Sequence, residues 1–297
     1  MSQHSRYLIT GARGMLGADL VEALFGRDVT VASRAELDVT DRDAVFAAVE
    51  GHDVVINAAA YTAVDAAEEH EGDALAVNGT AVGLLAEASR EARASLVTLS
   101  TDYVFDGQAT SPYTEDAPLD PINAYGRSKA EGERRALALH PDGTYVVRTA
   151  WLYGQHGASF PATMLKLAET HDTVSVVDDQ LGQPTWTLDL ARQIVALLDA
   201  GAPAGVYHGT NSGRATWFDL ARAVFAAQGL DPERVRPTDS RAFVRPAARP
   251  SFSVLGQDAW QRAGLAPMRP WQEALSEAAA EGVFGSAAGD ATGSVFG

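Results

Sequence analysis

Apolar positions in the first half of the chain gather into short runs, separated by longer stretches in which they recur every three or four places. The short runs "RYLIT", "DVTVAS", "DVVINAA", "ASLVTLST" and "TYVVRTAWLY" predict strands, and the stretches between them predict helices. Within the runs apolar residues follow one another instead of alternating with polar ones. This predicts strands covered by helices on both faces, in a parallel sheet. The expected fold class is α/β: a Rossmann-type doubly wound parallel sheet with a smaller C-terminal lobe.

From about residue 155 the pattern loosens. "MLKLAETH", "TLDLARQIVALLDA" and "TWFDLARAVFAAQG" predict helices among loops that contain Pro and Gly. The expected division is a Rossmann domain over 1–154, to which some later segments return, and a lobe mainly over 155–284. Residues 285–297, "GSAAGDATGSVFG", have little to bury and are expected to be disordered.

The first strand runs into its helix through "YLITGARGMLGADL", with Gly11, Gly14 and Gly17 in a G-x-x-G-x-x-G spacing. Gly11 would permit the tight turn, Gly14 would let the backbone approach a pyrophosphate, and Gly17 would allow close helix packing. The expected dinucleotide site includes Gly11, Arg13, Gly14, Met15 and Leu16, with the phosphates at the helix N-terminus. Sites that prefer NAD carry an acid at the end of the second strand. Here the segment "VASRAELD" has Ser33 and Arg34 in that place. Arg34 and Arg13 suit the 2′-phosphate of NADP, so the expected cofactor is NADPH, with NADH as the alternative. Asp38 and Val39 are expected beside the adenine. The third strand ends in "NAAAYT", which brings Ala58, Ala59, Ala60 and Tyr61 to the cofactor crevice.

Composition narrows the function classes. The 297 residues are 46% hydrophobic, and no apolar run approaches the roughly 20 residues that a membrane span requires. A net charge of −16 argues against nucleic acid and anionic membrane surfaces as partners. With no cysteine, disulfides, thiolate zinc sites and thiol catalysis are excluded. The N-terminus reaches its first strand pattern without a charged head and apolar signal core, so a cytoplasmic protein is expected. The seven histidines show no metal spacing, and His208 is expected to pack within the lobe.

Of 23 basic residues only Lys129 and Lys166 are lysine. Lys129 lies in "LDPINAYGRSKAEGERRALALH", which predicts a helix with Asp120 as N-cap and Pro121 in its first turn. Tyr125 and Lys129, at i and i+4, share a face. A neighbouring ammonium would lower the phenol pKa and could also bond the cofactor ribose, two tasks for which a guanidinium fork is too broad. Gly126 is costly inside a helix, and close cofactor approach is its expected reason. The fourth strand ends in "LSTDYVFDG", placing Ser100 and Thr101 at the carboxyl edge of the sheet, where Ser100, with Tyr125 and Lys129, is expected to border the cofactor and a hydroxyl could hold a substrate carbonyl oxygen. Tyr125 would exchange the proton while hydride passes to or from a nicotinamide, which makes the reaction carbonyl reduction or alcohol oxidation.

With these residues assembled, the chain resembles the extended short-chain dehydrogenase/reductases and, within them, the dTDP-4-dehydrorhamnose reductase family. The resemblance spans about residues 6–280 through "TGARGMLG", "NAAAYTAVDAAE", "LSTDYVFDG", "NAYGRSKAEGE", "RTAWLYG", "DQLGQPT", "GVYHGTNSG" and "RPSFSVL". The glycine loop and the Tyr/Lys pair are common to the superfamily, whereas "STDYVFDG" and "DQLGQPT" are narrower. The resemblance implies Thr101, Tyr125 and Lys129 as the catalytic group with Tyr125 as proton donor, and Asp102 and Trp151 beside the sugar. It also implies a nucleotide diphosphate in the smaller lobe, with Arg249 as a phosphate contact.

The implied reaction is NADPH-dependent reduction of the C4 ketone of a dTDP-4-keto-6-deoxyhexose. The first reading of the substrate is dTDP-4-dehydro-L-rhamnose; the second is another dTDP-deoxysugar of an antibiotic pathway. Some relatives dimerise through Mg2+ held by surface acids, but no such ligands match here, so no metal residue is assigned and Mg2+ stays a possible cofactor that the sequence does not place; monomer and homodimer both stand. Dehydratases of this fold place Asp then Glu after the strand-end threonine. This chain has Asp102 then Tyr103 and lacks that base. Epimerases share the Tyr/Lys pair but retain their cofactor. A non-catalytic NADP-binding regulatory subunit is the reading from a different class.

Overall fold

A computed structural model of the chain describes residues 5–284, so the expected disordered tail, 285–297, lies outside the described residues. In chain order the first half comprises β1 (Arg6–Thr10), α1 (Met15–Ala23), β2 (Asp28–Ala32), α2 (Arg42–Val49), β3 (Val54–Asn57), α3 (Val64–Ala67) and α4 (Glu71–Leu75). A π-helical turn (Ala76–Thr80) leads into α5 (Ala81–Ala92), β4 (Ser95–Thr101), α6 (Ala124–Leu139) and β5 (Thr144–Thr149). There follow β6 (Leu152–Tyr153), α7 (Phe160–Thr170), β7 (Val174–Val177), β8 (Leu181–Gly182), β9 (Thr185–Trp186) and α8 (Thr187–Asp199). The described residues end with β10 (Gly205–His208), β11 (Ala215–Thr216), α9 (Trp217–Ala227), β12 (Val235–Thr238), α10 (Asp258–Arg262) and α11 (Trp271–Ala280).

Six parallel strands form one sheet in the order β10-β5-β4-β3-β1-β2. Each face is covered, as the apolar runs require. On one side Leu16 and Leu20 of α1 and Leu190 and Ile194 of α8 pack over Ile9, Ile56 and Val147. On the other, Val45 of α2, Leu85 of α5 and Ala136 of α6 pack over Leu8, Val55 and Leu96. Strand order reverses between β1 and β3, and ligands of open α/β sheets bind at the carboxyl ends of such a reversal. A third core, with Phe160, Met164, Trp186, Leu220, Phe225 and Trp271, holds the later elements together.

Four local expectations change. At the sheet edge β2 is largely exposed instead of covered on both faces, since only β1 pairs with it. "TYVVRTAWLY" is two strands, β5 and β6, because the chain turns at Trp151, where φ is +45°. Helix α6 starts at Ala124: Asn123, and not Asp120, is its N-cap, with Oδ1 accepting from Gly126 N at 2.7 Å. The Asp120 N–H is instead committed to Val104 O at 3.0 Å. His208 ends β10 in the large sheet, not in the lobe, and burial pushes its pKa down to about 3.

Helix α6 approaches its neighbours at backbone contact. A Cβ on Gly126 would collide with Tyr103 O, and one on Gly132 with Asn78 O. The reason for Gly126 is therefore packing against the chain, in place of the expected approach of a cofactor. Alanine is the better helix former by about 1 kcal/mol, but overpacking costs about 1–3 kcal/mol. Gly132→Ala is expected to destabilise the protein by up to about 2 kcal/mol net in urea unfolding; a stability gain of about 1 kcal/mol, the full helix-propensity benefit, would refute backbone contact as the constraint.

Candidate active site

The glycine loop is shaped by what it touches. Gly11 has φ +67°, and a Cβ there would come within 2.6 Å of Ala59 N. Glycine alone allows β1's exit to lie against the Ala58–Ala59 backbone. Gly17 lets α1 pack on the loop, because its Cβ would collide with Gly11 O. Gly14 caps α1 without a side chain, so no side-chain acceptor takes the helix's first N–H groups. Met15 is half-buried, whereas Leu16 points into the core. A narrow backbone cradle with free donors at a positive helix end fits a pyrophosphate.

Thr10 Oγ1 donates to Asn57 Oδ1 at 2.7 Å, and Asn57 Nδ2 donates to Thr98 Oγ1 at 3.3 Å, fixing the ends of the strands that flank the crevice. Ala58, Ala59, Ala60 and Tyr61 line the exit of β3, partly buried. Ser33 is buried just beyond β2, and Arg13 and Arg34 are exposed beside it without an ion pair among the described residues. An acid reaches this place after all: Glu36 Oε2 accepts from Ser33 N at 2.7 Å. Asp38 Oδ1 accepts from Thr40 N and Oγ1 at 2.9 and 2.7 Å, and the side chain of Val39 belongs to the core.

Across the crevice, α6 carries Tyr125 and Lys129, close to the end of β4. Lys129 is buried, and its Nζ donates to Leu99 O at 2.6 Å. Burial lowers its pKa to about 8 against the opposing charge of Glu133. The phenol of Tyr125 departs from expectation: burial, followed by the charge of Asp102, pushes it up to about 12 although the Thr101 hydroxyl opposes the shift. Near neutral pH Tyr125 is a phenol, the form that gives a proton. Thr101 Oγ1 donates to Asp102 Oδ1 at 3.0 Å and accepts from Tyr103 N at 3.2 Å. Asp102 is buried with Oδ2 lacking a hydrogen-bond partner, and burial raises its pKa to about 6 despite the hydroxyls of Ser253 and Thr101.

Ser100 does not turn its hydroxyl to the crevice but donates it to Glu133 Oε1. Glu133, one turn beyond Lys129, is paired with Arg148 at 2.7 Å, and both side chains are 4% exposed or less. Arg148 Nη1 also donates to Glu115 O at 3.0 Å and stands 3.2 Å from His208 Nε2. The group is buried, polar and connected, and it joins α6 to β4 and β5 behind the pair on α6.

Trp151 stacks on Trp217 with ring centroids 3.7 Å apart, and Gly182 leaves the room that its indole fills. Gln183 of "DQLGQPT" accepts from Leu255 N at 2.7 Å, clasping the end of "RPSFSVL". Arg249 is drawn towards Asp65: its Nη1 donates to Asp65 Oδ1 and, at 2.7 Å, to Ala247 O. It also lines a largely apolar cavity with Tyr103, Phe160, Met164, Trp217 and Arg245. Sequence reasoning missed Asn78, Ser128, Glu36 and Glu133. Asn78 receives Tyr61 N and donates to Tyr61 O, each at 2.9 Å, and to Ser128 Oγ at 3.0 Å; Ser128 Oγ donates to Tyr125 O at 2.7 Å. The one hint in the sequence is an Asn-Gly pair within a helical pattern, at 78–79.

Among the described residues there is no cluster of three His, Cys, Asp or Glu able to hold a metal ion, and no helix long and apolar enough to cross a membrane. A family model described as RmlD substrate binding domain matches residues 5–283. A dTDP-4-keto-6-deoxy-D-glucose reductase of Streptomyces niveus is 52% identical, over 92% of this chain and 96% of that protein. A dTDP-4-dehydrorhamnose reductase of Streptomyces griseus is also 52% identical, over 92% of each. Among solved structures, a dTDP-4-dehydrorhamnose reductase from Bacillus anthracis str. Ames in complex with NADP is 36% identical. It superposes with a TM-score of 0.89, over 92% of this chain and 98% of that one.

Asp102 gives a pH signature. Its carboxyl keeps a proton to about pH 6 when folded but only to about 3.8 when unfolded, so its contribution to stability falls as pH rises through that window. The full loss is about 3 kcal/mol. Asp102→Asn is therefore expected to stabilise the protein by about 2 kcal/mol more at pH 8 than at pH 4. Chemical unfolding at the two pH values measures this, and an equal effect at both would show that burial does not perturb the carboxyl.

Proposed function

The chain belongs to the RmlD substrate binding domain family, among dTDP-4-dehydrorhamnose reductases, and from that premise we propose that it reduces the C4 ketone of a dTDP-4-keto-6-deoxyhexose with NADPH. It is an NADP-dependent oxidoreductase with an extended short-chain dehydrogenase/reductase fold. The observation that carries the reading is the convergence of Tyr125, Lys129 and Thr101, at the end of β4, on the crevice that the glycine loop opens between β1 and β3.

NADPH bound along the glycine loop, Ala58–Tyr61 and the Ser33–Val39 segment would supply hydride to the ketone carbon. Tyr125, kept protonated by burial and by Asp102, gives its proton to the developing alkoxide. The Thr101 hydroxyl, close to Tyr125, polarises the same oxygen once its proton turns from Asp102 Oδ1 to the substrate. Protonated Lys129 stabilises the phenolate that remains and binds the ribose. Asp102 and Trp151 contact the sugar. The later elements, mainly within 155–284, hold the nucleotide, while α8 and β10 return to the large sheet. Arg249 contacts the diphosphate once Asp65 yields part of its bond.

For the substrate the first reading is dTDP-4-dehydro-L-rhamnose, giving dTDP-L-rhamnose. A second is favoured by the relative from S. niveus, a dTDP-4-keto-6-deoxy-D-glucose reductase at the same 52% identity. NADPH oxidation at 340 nm with dTDP-4-keto-6-deoxyglucose, with and without a 3,5-epimerase, separates the two. Oxidation that requires the epimerase supports the rhamnose product; oxidation without it supports the second substrate. Tyr125→Phe is expected to lower kcat by about 10²–10⁴ while NADP+ still binds. Bound NADP+ with no turnover on either ketone would overturn the reductase reading in favour of a non-catalytic subunit.

A further inference from the structure

Resting on the dinucleotide reading of the glycine loop, we infer that Glu36 sets how strongly the site prefers NADPH over NADH, by competing with the 2′-phosphate for the Ser33 N–H. The acid that sites preferring NAD carry at the end of the second strand is absent from positions 33 and 34 in this chain. A tight turn restores it from three residues later. Glu36 N and Leu37 N both donate to Ser33 O, at 3.0 and 2.9 Å, and the turn carries the Glu36 carboxylate back to accept from Ser33 N at 2.7 Å. The Ser33 hydroxyl, buried and short of full hydrogen-bond geometry with any partner, lies beside the same carboxylate. The Ser33 hydroxyl, then its N–H, holds the Glu36 pKa below its usual range, with Arg13 adding to the effect, so Glu36 is an anion at neutral pH.

The two cofactors meet this arrangement differently. The 2′-hydroxyl of NADH is a donor, and the carboxylate can accept it as an acid at the strand end would. The 2′-phosphate of NADPH carries about −1.5 to −2 charges and is an acceptor of the N–H that Glu36 occupies. It gains from the unpaired Arg13 and Arg34 and loses by repulsion from Glu36. Glu36 is exposed, so its carboxylate can rotate away when the phosphate enters. Asp38, the other acid of the segment, is held by Thr40 and lies near Arg34. The site is thus poised between the cofactors: two arginines favour the phosphate and one movable acid favours the hydroxyl.

The test is calorimetric binding of NADP+, NAD+, 2′,5′-ADP and 5′-ADP to the native chain and to Glu36→Gln, Glu36→Ala and Arg34→Ala. Glu36→Gln keeps an oxygen for the Ser33 N–H and removes the charge; Glu36→Ala removes both. Both Glu36 variants are expected to bind NADP+ and 2′,5′-ADP about five- to tenfold more tightly, and NAD+ no better than the native chain. Arg34→Ala should weaken NADP+ and 2′,5′-ADP and spare NAD+ and 5′-ADP. If the native chain binds NADP+ and both Glu36 variants keep its NADP+ to NAD+ ratio, the role of Glu36 is overturned while the cofactor reading stands. An Arg34→Ala variant with native NADP+ affinity would overturn it too, because the phosphate would then lie elsewhere. Should the native chain bind none of the four nucleotides, the cofactor reading fails and this one with it.

Discussion

The close seating of α6 on its neighbours is the constraint from which the site follows. Where Gly126 faces Tyr103 O and Gly132 faces Asn78 O, no side chain separates the helix from the backbone it rests on. The buried Glu133–Arg148 pair, with Ser100 as a further donor, then fastens the same helix to β4 and β5. A buried ion pair is a weak source of net stability, but leaving either partner alone is costly. The pair therefore acts as a locating pin. With the helix fixed along its length, Lys129 reaches Leu99 O, and Tyr125 stands near Thr101 and Asp102.

The second link joins the two sides of the crevice. Asn78 clasps the backbone of Tyr61 at both its N–H and its C=O, and passes through Ser128 to the carbonyl of Tyr125. The exit of β3, where a cofactor would lie, is thereby tied to the residue that would exchange the proton. Asn78 makes these bonds with its side-chain amide from within a π-helical turn. Such turns occur often at functional sites.

Electrostatics divides the labour within a small space. The chain carries a net −16, yet the end of β2 gathers Arg13 and Arg34, which make no ion pair among the described residues although Glu36 and Asp38 lie near, and the N-terminal N–H groups of α1 have no side-chain acceptor. Anion binding is local and runs against the overall field. At the reacting end, Asp102 and burial keep Tyr125 protonated, while burial alone brings Lys129 close to neutral pH. These shifts push the two pKa values apart and leave Tyr125 a protonated phenol, the form that suits reduction of a ketone better than a preformed phenolate would.

The sequence by itself determined the sheet, the glycine loop, the Tyr/Lys pair and the strand-end threonine. Each rests on contacts among residues a few places apart: apolar runs of strand length, glycines at a strand-to-helix turn, side chains at i and i+4. It overreached where a residue's neighbours come from afar. Asp120 resembles an N-cap, but its N–H bonds to Val104 O and the helix begins only at Ala124, so Asn123 stands in the capping place. Gly126 resembles room for a cofactor and is room for Tyr103 O. The phenol shift has the opposite sign because burial and the Asp102 charge, neither visible from spacing, outweigh a lysine that bonds to β4 instead. Glu36, Asn78 and Glu133 acquire meaning only once turns and strand order bring them to Ser33, Tyr61 and Arg148. Local periodicity decided which elements form; burial and long-range partners decided the charge, direction and reach of the side chains they carry.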